Sequence, residues 1–154
     1  MRSTKVLKSS LIIGLVIILS ILTMGKRKPR GVINRLVLLF SPYRNISKLI
    51  LAQAAFETGD FTSAVYRNNN NMFGMKTAYH RVQLGEQGEV ASDGGWYQKY
   101  QSNTQSLRDF LIYLDYVNFP KHPMSIDTYV LAMKNNRYFT GNVDNYIAGL
   151  KRYA

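Results

Sequence analysis

Glu57 is the residue in this 154-residue sequence best placed to do chemistry. A helix read through Asn45 to Thr58 puts it on the same face as Ile46, Leu49, Ile50 and Gln53, while Arg44 and Lys48 point the other way. An aliphatic side chain is expected at such a position. Gly59 follows two residues later as a left-handed cap, so Glu57 ends a buried helix. Desolvation and the negative end of the helix dipole both raise the pKa of a carboxyl group there. A carboxylic acid that keeps its proton near neutrality suits glycosidic cleavage, because the leaving oxygen takes a proton as the bond breaks. Periodicity leaves a second reading open, in which Glu57 is a last-turn residue that reaches solvent or pairs with an arginine.

Other chemistries have little to work with. There is no cysteine, so no disulfide framework and no thiolate metal site. Only His80 and His122 offer imidazole, far apart in sequence, and neither a metal nor a cofactor is expected. The net charge of +11 would point to nucleic acid if it covered the fold. It does not: residues 1–48 hold ten Lys and Arg and no acid, whereas residues 49–154 hold ten basic and nine acidic side chains. A nucleic-acid partner is therefore disfavoured, and the basic segment is suited to anionic lipid.

The elements that must position Glu57 follow an N-terminal segment of a different kind. Leu11 to Met24 is free of charge, with Arg2, Lys5 and Lys8 before it and Lys26, Arg27, Lys28 and Arg30 after it. Residues 9–25 would span about 25 Å as a helix, short of a ~30 Å hydrocarbon core unless the flanking lysines snorkel. No small-x-small cleavage pattern precedes the basic run, which favours an uncleaved anchor. The expectation is a signal-anchor over residues 1–30 and one compact domain over residues 31–154, held at the membrane on the envelope side. Both flanks are basic, and the slight excess after the apolar run argues against export.

Within the domain, Gly31 to Phe40 reads as an apolar lead-in and Ser41-Pro42 as a turn. The asparagine run Asn68 to Asn71 reads as a loop before the short apolar element Met72 to Lys76. Between Tyr79 and Tyr100, β-favouring residues alternate with Gly85-Glu86-Gln87-Gly88 and Asp93-Gly94-Gly95, which predicts a hairpin with turns at the glycines. Ser106 and Asp109 have capping-box spacing ahead of a helix that carries Leu107, Phe110, Leu111 and Leu114. Ser125 caps a further helix with Ile126, Tyr129, Val130 and Met133, and Tyr146, Ile147 and Leu150 supply a last one.

Four blocks in order carry a resemblance: Leu51-Ala52-Gln53-Ala54-Ala55-Phe56-Glu57-Thr58-Gly59, Asn71-Met72-Phe73-Gly74-Met75-Lys76, Trp96 to Ser102, and Arg137-Tyr138-Phe139-Thr140-Gly141 through Asn145-Tyr146. Together they resemble the bacterial and phage glucosaminidases of glycoside hydrolase family 73. The resemblance implies an α+β, mainly α, lysozyme-like domain with a small β-hairpin lobe. It also implies cleavage of the β-1,4 glycan of peptidoglycan on the N-acetylglucosamine side. Glu57 matches the general acid and Tyr138 an active-site tyrosine whose hydroxyl orients the acetamido group or a water. Asn71, Phe73 and Trp96 match positions at the sugar cleft.

The chain departs from the family in two places. Asp60-Phe61 stands where an aromatic–glycine pair is common, and the second carboxylate of the hairpin has no clear counterpart. Glu86 is the first choice, Glu89 the second, and Asp93 lies in the same hairpin. The anomeric centre needs an activated water, a carboxylate nucleophile or the substrate's own acetamido oxygen, and the sequence does not choose among them. The rival readings are a non-catalytic glycan-binding envelope protein and a muramidase or lytic transglycosylase of the same fold.

Overall fold

The structure, a computed structural model, describes residues 34, 35 and 37–154. The expected anchor over residues 9–25 lies outside the described residues. Among those described, no helix is long and apolar enough to cross a membrane. Residues Asn34–Ala154 form one compact unit. It is mostly helical, with one small sheet: α1 Ser47–Glu57, α2 Ala64–Asn69, β1 Glu86–Val90, β2 Trp96–Lys99, α3 Asn103–Tyr116, α4 Ile126–Asn135 and α5 Val143–Lys151.

Helix α1 is buried on several sides, through Ile50, Ala52, Gln53, Ala54 and Ala55, which is why it carries so little charge. Around it Leu38, Ile46, Phe73, Leu107, Phe110, Leu114, Tyr129, Val130, Met133 and Leu150 make one core. Ser41 turns the chain into this core by donating its hydroxyl to Leu38 O at 2.8 Å. The close approach of α5 to α1 needs Gly149, where a Cβ would lie 2.2 Å from Cε2 of Phe56.

Several local expectations are corrected. The asparagine run is only partly a loop, because Ser63 caps α2 by accepting from Tyr66 N at 3.2 Å and the helix runs on through Asn68 and Asn69. Asn70, left-handed at φ 49°, ends it. Helix α3 starts earlier than Ser106: Ser102 is the cap and accepts from Gln105 N at 3.2 Å. Ser106 and Asp109 are instead buried inside the helix. Gly85 and Gly88 do not make a turn. They let β1 approach β2, with a Cβ at Gly85 falling 2.8 Å from Lys99 O and one at Gly88 falling 3.0 Å from Tyr97 O. The hairpin turn is at Asp93-Gly94, with Gly94 at φ 84°.

The sheet is antiparallel, pairing Glu86 with Lys99, Gln87 with Gln98 and Val90 with Trp96, and its register shifts between Gln87 and Val90. The segment Met75–Thr77 follows the other edge of β2, where Gln98 N donates to Met75 O at 2.8 Å and Thr77 N to Trp96 O at 2.7 Å. Asp109 ties the preceding loop to α3. Its buried carboxylate accepts from both terminal nitrogens of Arg81, at 3.1 and 2.9 Å, and from Leu84 N and Tyr100 Oη at 2.9 and 2.8 Å.

Candidate functional site

Helix α1 ends at Glu57 in a closed left-handed turn. Asp60 N donates to Ala55 O at 2.8 Å and Gly59 N to Phe56 O at 3.2 Å, with Gly59 at φ 56°. Glu57 thereby lines a cleft of about 620 Å³. A smaller recess of about 190 Å³, lined by Ser63, Val65, Asn71 and Tyr97, also includes Glu57, Gly74 and Lys76 in its wall. Both cavities thus have Glu57 in their lining. Gly74 is left-handed at φ 59°, and a Cβ there would lie 3.6 Å from Glu57 Oε2.

Burial pushes the Glu57 carboxyl up to about 7, against the opposing effect of a hydrogen bond from the Tyr146 hydroxyl to Oε1. Tyr146 is clamped by two rings: Phe139 stacks on it at 4.1 Å between centroids, and Phe56 meets it edge-on at 4.9 Å. Burial and the neighbouring Glu57 also raise the Tyr146 hydroxyl, so it remains a donor. Behind it Gln53, fully buried, accepts from the Tyr129 hydroxyl, while its own Nε2 has no hydrogen-bond partner among the described residues.

Asp93 enters the same cleft from the hairpin turn. Its surroundings are the reverse of those of Glu57. The hydrogen bond from the Lys76 ammonium, with help from Gly95 N, holds this exposed carboxyl below the usual aspartate value.

The remaining expected residues are placed as follows. Tyr138 lines the cleft, but its hydroxyl donates to the backbone carbonyl of Phe73, which anchors the Phe73-Gly74 segment against the end of α4. Phe73 is buried and stacked on Phe110 at 4.0 Å, so its ring belongs to the core although the residue borders the cleft. Asn71 clasps the same segment. Its Nδ2 donates to Met75 O and Gln98 O at 2.8 and 2.9 Å, and its Oδ1 accepts from Met75 N at 3.0 Å.

Neither Glu86 nor Glu89 borders the cleft or the recess. Glu86 stands opposite Lys99 in the ladder, and Glu89 accepts from Asn69 Nδ2 at 3.0 Å. Trp96 starts β2 and borders neither cavity, and Asp60 and Phe61 are likewise outside both. Among the described residues, no group of three or more His, Asp or Glu side chains is placed to hold a metal ion.

The sequence missed Tyr146 as a site residue because its spacing with Ile147 and Leu150 marks it equally well as a buried helix position. Arg137 and Asp93 were visible within quoted segments without a signal that set them apart.

No curated protein matches this sequence. Among solved structures, the catalytic domain of the autolysin Auto from Listeria monocytogenes is similar at 19% identity, with a TM-score of 0.47, over 87% of this chain and 88% of that one. A family model described as mannosyl-glycoprotein endo-beta-N-acetylglucosaminidase matches residues 40–154, three quarters of the chain and all of the cleft just described. By that match the chain belongs to the Glucosaminidase family and is a glycoside hydrolase.

Proposed function

We propose that this protein hydrolyses the β-1,4 bond between N-acetylglucosamine and N-acetylmuramic acid in peptidoglycan, with Glu57 as general acid. One observation carries the reading: a carboxyl group whose pKa burial pushes up to about 7 lines both a cleft and a neighbouring recess. A glycan lying through both spaces presents an internal bond to the acid, as endo-cleavage requires. Protonation of the leaving oxygen by Glu57 leaves an oxocarbenium-like centre. Asp93, kept anionic by Lys76, is the second carboxylate in this reading and replaces Glu86 and Glu89 in that role. It either activates the attacking water or steadies the developing positive charge.

Tyr146 orients Glu57 and supplies a hydrogen bond that favours its anion after the proton has left. Tyr138 acts at one remove, by fixing the peptide next to Gly74. The basic-flanked residues 9–25 serve as the membrane tether that keeps the domain in the envelope. The charge-free run between basic flanks supports a tether at anionic lipid, while the basic excess after it gives no support to the envelope side.

The test is mass spectrometry of borohydride-reduced fragments from peptidoglycan treated with the protein and with Glu57→Gln. Reduced N-acetylglucosamine ends, lost in the variant, are expected. Reduced muramic ends would mean a muramidase instead, anhydro-muramic ends a lytic transglycosylase, and intact glycan despite binding a non-catalytic envelope protein.

A further inference from the structure

Helices α1, α3 and α4 end in the same closed turn. In each, an amide donates back to the carbonyl five residues earlier: Asp60 N to Ala55 O at 2.8 Å, Phe119 N to Leu114 O at 2.8 Å, and Tyr138 N to Met133 O at 3.0 Å. The turn needs one left-handed residue, and these are Gly59, Asn118 and Arg137, at φ 56°, 51° and 57°. Glycine takes that conformation freely, and asparagine is the side chain that tolerates it next best. Arginine has no such excuse.

Local structure does not account for Arg137. Its guanidinium makes no hydrogen bond or ion pair among the described residues. The neighbouring cation Lys134 already binds the carbonyls of Thr140 and Gly141, at 2.6 and 2.8 Å. Asp60 and Phe61 are also left-handed, but neither borders the cleft, and the Phe61 ring packs edge-on against Tyr66 at 5.5 Å. Arg137 is exposed and lines the 620 Å³ cleft beside Tyr138 and Phe139.

The charges of that cleft single it out again. Lys76 is paired with Asp93, and Arg81 is paired with Asp109 at 2.9 Å. Arg137 is left as the cleft's full cation without an anion among the described residues. A backbone held in an unfavourable conformation at a ligand-facing position indicates that the side chain is retained for what it binds.

We propose that Arg137 sets substrate specificity by binding a carboxylate carried on the glycan. This rests on the peptidoglycan reading, since the muramic residue carries a lactyl group that ends either in its own carboxylate or in a peptide with carboxylates. A planar guanidinium fork matches a carboxylate through two parallel hydrogen bonds. Strands of N-acetylglucosamine alone carry no such group.

The experiment titrates three probes into full-length Glu57→Gln protein, with and without Arg137→Gly. The probes are chitohexaose, peptide-free glycan strands with free lactyl carboxylates, and peptide-bearing glycan strands. Arg137→Gly is expected to weaken a carboxylate-bearing probe about 10-fold and leave chitohexaose unchanged. Loss confined to the peptide-free strand assigns the lactyl carboxylate, and loss confined to the peptide-bearing strand assigns a stem carboxylate. The same substitution removes the left-handed penalty, so the Tm should rise by a few degrees, which separates lost binding from lost fold. Arg137→Lys keeps the charge without the fork and should fall between.

Equal affinities for all three probes, or an equal loss for chitohexaose, overturns the proposal. No binding of any probe by the parent overturns it together with the glycan reading. Binding without cleavage by the protein with Glu57 intact sinks the hydrolase reading alone and leaves the Arg137 result standing.

Discussion

Glu57 and Asp93 meet one cleft from two lobes, and their surroundings push their acidities apart. Glu57 closes a buried helix and has one neutral donor, Tyr146, so loss of water dominates and its proton stays on. Asp93 sits on an exposed hairpin turn against Lys76, so the ion pair dominates and its proton stays off. In the proposed reading, two carboxyl groups of similar intrinsic strength become an acid and a base through burial and partner alone, the division of labour that glycoside hydrolysis uses. The helical lobe contributes rigidity and desolvation, and the hairpin contributes exposure and charge.

The sharpest way to break this comparison is to remove each carboxylate in turn. Glu57→Gln is expected to lower kcat by roughly 10²–10⁴-fold with the fold retained, read from glycan turnover beside circular dichroism. Near-normal turnover would sink the acid assignment. Asp93→Asn should lose less, on the order of 10²-fold. Unchanged turnover there would shift the second role to the substrate's own acetamido oxygen.

Moving the two acidities is gentler. With Glu57 required as the acid, kcat should fall as pH rises through about 7. Tyr146→Phe removes a hydrogen bond that lowers the Glu57 pKa, so that alkaline limb should move to higher pH even as the maximum drops. Lys76→Met removes the main influence that lowers Asp93, so the acid limb should move up toward the ordinary carboxylate range. A pH–rate profile in which both variants shift the same limb would contradict the division between the lobes.

The smallest effect is on stability, and its sign is the reverse of the usual carboxylate case. Glu57 ionises near 4.5 when unfolded and near 7 when folded, so the folded state holds the proton more tightly. Its contribution is complete below pH 4.5 and is lost as pH rises through about 7. Glu57→Gln should therefore stabilise the protein at pH 8, by up to about 3 kcal/mol, and change little at pH 4. Thermal melts at the two pH values measure the difference, and equal shifts at both would show that burial does not control this carboxyl group.

Much of the scaffold was readable from local patterns. Ser125 capping α4, the buried stripe Tyr129, Val130 and Met133, and the glycine exit after Glu57 are settled by residues within a few positions of one another. The capping error at α3 had the same local character: Ser102 and Gln105 hold the box spacing that Ser106 and Asp109 imitate, but Asp109 is taken by Arg81, 28 residues away in sequence. The glycines Gly85 and Gly88 misled because close strand approach and a turn call for the same residue.

The sequence by itself determined a helical domain with a hairpin, an acid at the end of a buried helix, and the family. Periodicity, caps and ordered motifs are short-range and survive without a partner. Only the tertiary structure decided which hairpin acid shares a cleft with Glu57, since the turn at Gly94 places Asp93 against Lys76 in its lining while Glu86 and Glu89 lie outside it. It alone brought the Tyr146 hydroxyl to Glu57 across 89 residues and bent the end of α4 so that Arg137 lines the cleft. Desolvation and ion pairing depend on what surrounds a group in space, and a one-dimensional pattern does not carry that.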